Sequence, residues 1–164
     1  MTIAELNRMD RAAFVATVGW VFEHSPWVAE RAYEWRPFAD LDALHAALTT
    51  QVEQASKAEC LALLEAHPDL GTRARVSDAS TSEQSGAGLD RLTPAEFDGL
   101  QRLNGAYRAR FGFPFLLAVK GSTKHDVLHA LQARIEATPE DEYREALRQV
   151  FRIARFRLED LITS

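Results

Sequence analysis

Apolar residues recur every three or four positions through most of this 164-residue chain, and this spacing predicts α-helices. Alternating apolar and polar runs, which are typical of strands, are almost absent. Helix starts are predicted where Ser, Thr or Asp precedes an apolar stretch. These starts are Thr2, Asp10, Ser25, Asp40, Ser56, Thr93, Thr123 and Thr138. The pattern predicts an all-α protein, a compact single-domain bundle of about seven to nine helices that covers residues 1–164.

One long stretch lacks a clear helical pattern and is predicted to be a loop. It runs from Pro68 to Gly88 and contains four serines and three glycines. Loops of this length inside compact domains are often functional. Within the stretch, Ser80 and Glu83 have the spacing of a capping box, and Gln84 adds an amide. The segment therefore either only starts a helix or also offers polar groups to a ligand at a helix N-terminus.

Two polar side chains fall on apolar helix faces. Asn104 lies within the stripe that contains Leu100 and Tyr107, so it needs hydrogen-bond partners, either in a network between helices or beneath a pocket. Arg157 follows Val150 by nearly two turns and points within about 20° of it, toward the core. A guanidinium there needs an acceptor, which is either an internal carboxylate or an anionic or polar ligand.

Composition narrows the classes of partner. The net charge is −5 with mixed signs along the chain, so we expect no nucleic-acid partner. No apolar run approaches the roughly 20 residues that cross a bilayer, and no leader or peroxisomal ending is recognised, so we expect no membrane partner and a cytoplasmic location. The single Cys60 excludes an internal disulfide, and its leucine neighbours indicate a core residue rather than a nucleophile.

Most of the five histidines have a structural interpretation. His45 shares a face with leucines, and His24 lies between a helix end and a helix start. His125 and His129 are four residues apart, but no third ligand accompanies them, so we expect no metal site.

His67 is different because Pro68 follows it and forces the chain out of helical geometry. That turn can project the imidazole, a group that titrates near neutrality, away from the helix axis. His67 is thus either an acid–base candidate or a packed residue at a helix end. Farther along, the run 113–119 is interrupted by Pro114 and can be extended. It would be either a buried linker or a segment whose backbone groups bind a ligand.

These residues together resemble one family. The stretch 22–27, HPDLG at 67–71, STSEQ at 80–84, Asn104 with Tyr107 and FGFPF at 111–115, and the final Arg157 are similar to the 2-oxo-4-hydroxy-4-carboxy-5-ureidoimidazoline (OHCU) decarboxylases. The resemblance covers essentially the whole chain. It implies an all-α homodimer that decarboxylates OHCU to (S)-allantoin in urate degradation, without a metal or organic cofactor.

The resemblance also implies the roles of individual residues. His67 would be the catalytic acid, and Glu83 would act beside it. The expected substrate-binding residues are Pro68, Ser80, Thr81, Ser82, Glu83, Gln84, Phe115, Leu116, Leu117, Ala118, Val119 and Arg157. Two rival interpretations are a non-catalytic helical module that binds a partner or an apolar ligand at FGFPF, and a different lyase or hydrolase on the same scaffold.

Overall fold

The computed structural model describes residues 1–71 and 77–163. Within these ranges the chain forms helices and no strand. The α-helices are α1 (Ile3–Asn7), α2 (Arg11–Val18), α3 (Trp27–Ala32), α4 (Leu41–Glu53), α5 (Lys57–Glu65), α6 (Asp78–Gly86), α7 (Pro94–Phe111), α8 (Lys124–Arg134) and α9 (Pro139–Leu161). Two 3₁₀ turns, Gly19–Val21 and Tyr33–Trp35, follow α2 and α3. The predicted all-α class is confirmed for the described residues.

Most helices begin where the sequence predicts. The side chains of Thr2, Ser56 and Thr93 each accept a hydrogen bond from the backbone N–H of a glutamate three residues later. The carboxylate of that glutamate accepts a hydrogen bond from the backbone N–H of the Thr or Ser in return. These are capping boxes, which satisfy two otherwise unpaired donors. The helix predicted after Ser25 and Pro26 begins at Trp27, as expected, although its N-cap is Pro26 and no side chain caps it. The Ser25 hydroxyl instead donates to the carbonyl of Glu23 in the preceding turn.

The prediction of one loop from Pro68 to Gly88 is wrong in part, because α6 lies inside it. Residues 72–76 of that stretch lie outside the described residues. The Ser77 side chain accepts from the backbone N–H of Ser80 at 3.2 Å and is the helix cap. The predicted capping box at Ser80 is therefore also wrong, since a serine three residues earlier starts the helix almost one turn sooner.

Contacts divide the chain into two compact units, Met1–Ala66 with Phe151–Ser164, and His67–Val150. The first unit buries Leu6, Phe14, Val18, Leu44, Leu48, Leu63 and Leu158. The second unit buries Leu100, Tyr107, Phe115, Val127, Leu131 and Ala146. The single domain over residues 1–164 stays a prediction. No helix in the described ranges has both the length and the hydropathy needed to span a bilayer.

Candidate active site

His67 begins the second unit at the point where α5 has ended. Ala66 is the C-cap of α5 and still has helical geometry, and Pro68 lies outside any helix. The His67 side chain is 6% exposed. The predicted helix exit at this histidine is confirmed, and it leaves an imidazole largely shielded from bulk water.

The peptide bond between Leu70 and Gly71 is held on both sides by side-chain amides. Asn104 of α7 donates through Nδ2 to the Leu70 carbonyl at 2.9 Å. The Gly71 N–H donates to Oε1 of Gln84 on α6, also at 2.9 Å. The two bonds tie the HPDLG segment to α6 and α7, so the network predicted for Asn104 is present. The other amide oxygen, Oδ1 of Asn104, is buried without a hydrogen-bond partner in the described part of the chain.

Asp69 and Gly71 also help to hold the HPDLG segment in place. Asp69 forms an ion pair with Arg108 of α7 at 2.9 Å. Gly71 has a φ of +74°, and a Cβ built on it would lie 2.4 Å from Cδ2 of Leu100. Only glycine fits both the conformation and the contact. Asp69, Leu70 and Gly71 therefore fix the segment that follows His67 and Pro68.

The predicted binding residues on α6 have different environments. Ser80 and Gln84 are buried at 6% and 9% exposure, because residues four apart share one helix face. Glu83 is half-buried, whereas Thr81 and Ser82 are exposed. Oε1 of Gln84 accepts the Gly71 N–H, which fixes the orientation of the amide and leaves its Nε2 donors for a ligand, together with the second lone pair of Oε1.

The segment 115–119 lies outside any helix, and four of its five residues are buried. The Leu116 carbonyl accepts a hydrogen bond from Nη1 of Arg134 at 2.5 Å, and the Ala118 N–H donates to Oε1 of Gln149 at 3.0 Å. The two residues bound in this way flank Leu117. Its N–H and C=O have no hydrogen-bond partner among the described residues.

Arg157 belongs to the first unit and is 3% exposed, so the predicted inward orientation is confirmed. Its Nη2 lies 3.0 Å from Oε1 of Glu23, which is itself 2% exposed. Its Nη1 also faces the carbonyls of Val21 and Trp20 at 3.3 and 3.4 Å. Of the two acceptors considered for Arg157, the structure contains the internal carboxylate. Sequence reasoning missed Glu23, although an acid that directly follows the apolar run 20–22 was a usable signal.

A second buried ion pair, also missed, lies in the second unit. Glu142 on α9 is 1% exposed and accepts hydrogen bonds from Nε of Arg134 at 2.8 Å and from the hydroxyl of Tyr107 at 2.5 Å. Burial raises the pKa of Tyr107, and the hydrogen bond to Glu142 raises it further. The phenol therefore stays protonated and serves as a fixed donor.

The remaining histidines and the cysteine show no sign of a catalytic or metal-binding role among the described residues. Nε2 of His45 lies 2.9 Å from the Phe151 carbonyl, so its ring has a partner, although the residue is half-buried and not in the core. Cys60 is buried, as predicted. His125 and His129 are exposed. Among the described residues, no three His, Cys, Asp or Glu side chains are grouped to hold a metal ion.

Comparison with known proteins agrees with this architecture. The family model described as OHCU decarboxylase matches residues 7–159. The 2-oxo-4-hydroxy-4-carboxy-5-ureidoimidazoline decarboxylase of Haloferax volcanii is 44% identical over all of this chain and 98% of that protein. The uric acid degradation bifunctional protein PucL of Bacillus subtilis is 48% identical over 99% of this chain, which spans only 33% of that protein. A crystal structure of (S)-allantoin synthase has a TM-score of 0.82 at 38% identity and covers 99% of this chain and 54% of that one. The chain therefore belongs to the OHCU decarboxylase family.

Proposed function

We infer that this chain is a carboxy-lyase that decarboxylates OHCU to (S)-allantoin in urate degradation. The observation that carries this inference is the 44% identity, over nearly the whole of both chains, to a protein named for that reaction. The similarity to an (S)-allantoin synthase of solved structure supports the stereochemistry of the product.

The substrate's own chemistry explains why we expect no cofactor. The carboxylate sits on a carbon that bears a hydroxyl and lies next to a C=N bond. When the carbon–carboxylate bond breaks and CO₂ leaves, the electron pair can enter the conjugated ring. The enzyme then has to orient the ring, exclude water and deliver one proton to one face.

We assign the proton delivery to His67. Its imidazole is largely buried, and the segment that follows it is held by the bonds of Asn104 and Gln84. An acid whose surroundings are fixed in this way can protonate one face of a bound ring selectively. Glu83 would act beside His67 by holding the hydroxyl or ureido group.

The substrate-binding groups follow from which hydrogen-bonding atoms are left over. The Nε2 of Gln84 can donate to a carbonyl oxygen of the ligand, with Pro68 and residues 80–82 completing this side. Within 115–119, Leu117 offers an N–H and a C=O side by side, which matches the amide edge of a ureido group or ring lactam. We also propose, from the family resemblance, that Arg157 contacts the ligand. Its Nη2 is already paired with the Glu23 carboxylate.

The test is a coupled assay. Urate oxidase and hydroxyisourate hydrolase generate OHCU from urate, and circular dichroism follows the allantoin formed. We expect rapid formation of one enantiomer, and a decrease in kcat of about 10²–10⁴-fold for His67→Asn. The matched control is His125→Asn, which changes an exposed histidine of the same unit. Racemic product formed at the spontaneous rate by the wild-type protein would refute the function, and full activity of a folded His67→Asn variant would refute the role of His67.

We further propose a homodimer, from the family resemblance, and a cytoplasmic location, which suits a chain whose one cysteine is free and buried. Light scattering coupled to size-exclusion chromatography measures the oligomeric state, because a dimer would have twice the 18.4 kDa mass of one chain. A monomer at micromolar concentration would contradict the dimer.

A further inference from the structure

Side chains from α8 and α9 hold the non-helical segment 115–119 at alternate residues. Arg134 donates to the Leu116 carbonyl at 2.5 Å, and Gln149 accepts the Ala118 N–H at 3.0 Å. Both bonds are made by the residues that flank Leu117. The N–H and C=O of Leu117 have no hydrogen-bond partner among the described residues and are left to a ligand.

Arg134 is itself fixed by its surroundings. Its guanidinium is bound by the carboxylate of Glu142 through both Nε and Nη2, and that carboxylate also accepts the Tyr107 hydroxyl. The guanidinium carbon lies 4.4 Å from the centre of the Phe115 ring. The side chain is only 13% exposed. Because these contacts hold the Arg134 guanidinium in place, its hydrogen bond also restricts the position of the Leu116 carbonyl.

Gln149 is also held, in a way that determines which end of its amide faces the segment. Its Nε2 donates to Oε1 of Glu145 at 2.9 Å, while its Oε1 accepts from Ala118. Glu145 is in turn bound by Arg148 through two bonds of 2.7 Å. If the Gln149 amide were flipped, its NH₂ would face the Ala118 N–H and its oxygen would face the Glu145 carboxylate. Glu145 therefore orients Gln149.

We propose that Arg134 and Gln149 are positioning residues of the decarboxylase: they bind the backbone on both sides of Leu117 and so present its N–H and C=O to the substrate at a fixed place. Neither side chain is assigned a contact with the substrate. The inference rests on the proposed function and extends it from the binding groups to the residues that hold them in place.

The test separates positioning from simple stability. For Gln149→Leu, which removes the acceptor of Ala118, we expect KM to rise about fivefold to tenfold, the worth of about one hydrogen bond. We also expect lower enantiomeric purity of the allantoin formed by the enzyme, because a loosely held ring can present either face to the acid. A purely structural role would lower kcat together with the folded fraction and leave KM and enantiomeric purity unchanged.

A matched pair of variants on the same helix covers the case in which Gln149→Leu fails to fold. Arg148→Ala and Glu145→Ala both break the Arg148–Glu145 ion pair, but only the second removes the group that orients Gln149. We expect Arg148→Ala to keep wild-type KM. Glu145→Ala should show a raised KM and lowered enantiomeric purity, both smaller than for Gln149→Leu.

The outcomes distinguish the proposed function from the positioning role. If the wild-type protein does not produce one enantiomer, the proposed function itself is refuted. If the wild type is active and a folded Gln149→Leu keeps KM within about twofold with undiminished enantiomeric purity, the positioning role is refuted and the function stands. Identical KM values and enantiomeric purities for Glu145→Ala and Arg148→Ala would refute it as well.

Discussion

The buried ion pair between Glu23 and Arg157 supports a sharp prediction about stability. The two side chains are 1% and 3% exposed, and the distance between Nη2 and Oε1 is 3.0 Å. Glu23→Gln keeps the shape of the side chain and removes its charge. The guanidinium would then stay buried with no carboxylate at this position, which costs about 3–5 kcal/mol in comparable cases.

The structure favours the lower end of that range. Nη1 of Arg157 retains the carbonyls of Val21 and Trp20, although the contacts of 3.3 and 3.4 Å are long. We therefore expect Glu23→Gln to lower the free energy of unfolding by about 3 kcal/mol, a large share of the roughly 5–15 kcal/mol that stabilises a typical domain. Urea denaturation followed by far-ultraviolet circular dichroism measures this quantity, with the same m-value for both proteins.

Helix α9 offers a matched control for this measurement. Arg155 and Glu159 form an ion pair with 33% and 43% of their side chains exposed. Glu159→Gln should cost about 0.3–0.5 kcal/mol, as exposed pairs one helical turn apart usually do. A loss below about 1 kcal/mol for Glu23→Gln, close to that of the control, would refute the reasoning.

A double variant completes the test. Glu23→Leu combined with Arg157→Met removes both charges and leaves apolar side chains of similar length. Its stability should exceed that of Glu23→Leu alone, because no buried charge is left unpaired. A double variant less stable than the single one would mean that desolvation of Arg157 is not the dominant cost.

Three further predictions concern the second unit. Gly71→Ala should destabilise it by about 1–3 kcal/mol, because the new Cβ would meet Leu100 and the φ is positive, and thermal unfolding measures this loss. Asn104→Asp should be less stable to urea than Asn104→Leu, since a carboxylate would face the carbonyl of Leu70; the reverse order would contradict this hydrogen bond. The hydrogen bond from Lys124, aided by a backbone N–H, lowers the pKa of Glu96 to about 2. This stabilisation is present above the usual value of 4.5 and is lost as the pH falls through about 2, so the melting temperature of Glu96→Gln should fall less over that interval than that of the wild type.

The sequence by itself determined what depends on neighbouring residues. The all-α class follows from apolar spacing, and the starts at Thr2, Ser56 and Thr93 follow from a cap and a glutamate within one turn. The inward orientation of Arg157 follows from helical geometry alone. The exit of the chain from the helix at His67 follows from the proline after it.

Only the tertiary structure decided which groups those residues meet. The local pattern favoured Ser80 over Ser77 as the start of α6, because only Ser80 has a glutamate at capping-box spacing, yet the helix is capped by Ser77. Glu23 is far from Arg157 in sequence, so only folding brings carboxylate and guanidinium together. The residues on both sides of Leu117 are likewise bound by side chains that lie 18 and 31 residues farther along the chain. Helical periodicity fixes the face on which a side chain lies, whereas the partner across that face depends on how the elements pack, which the local pattern does not encode.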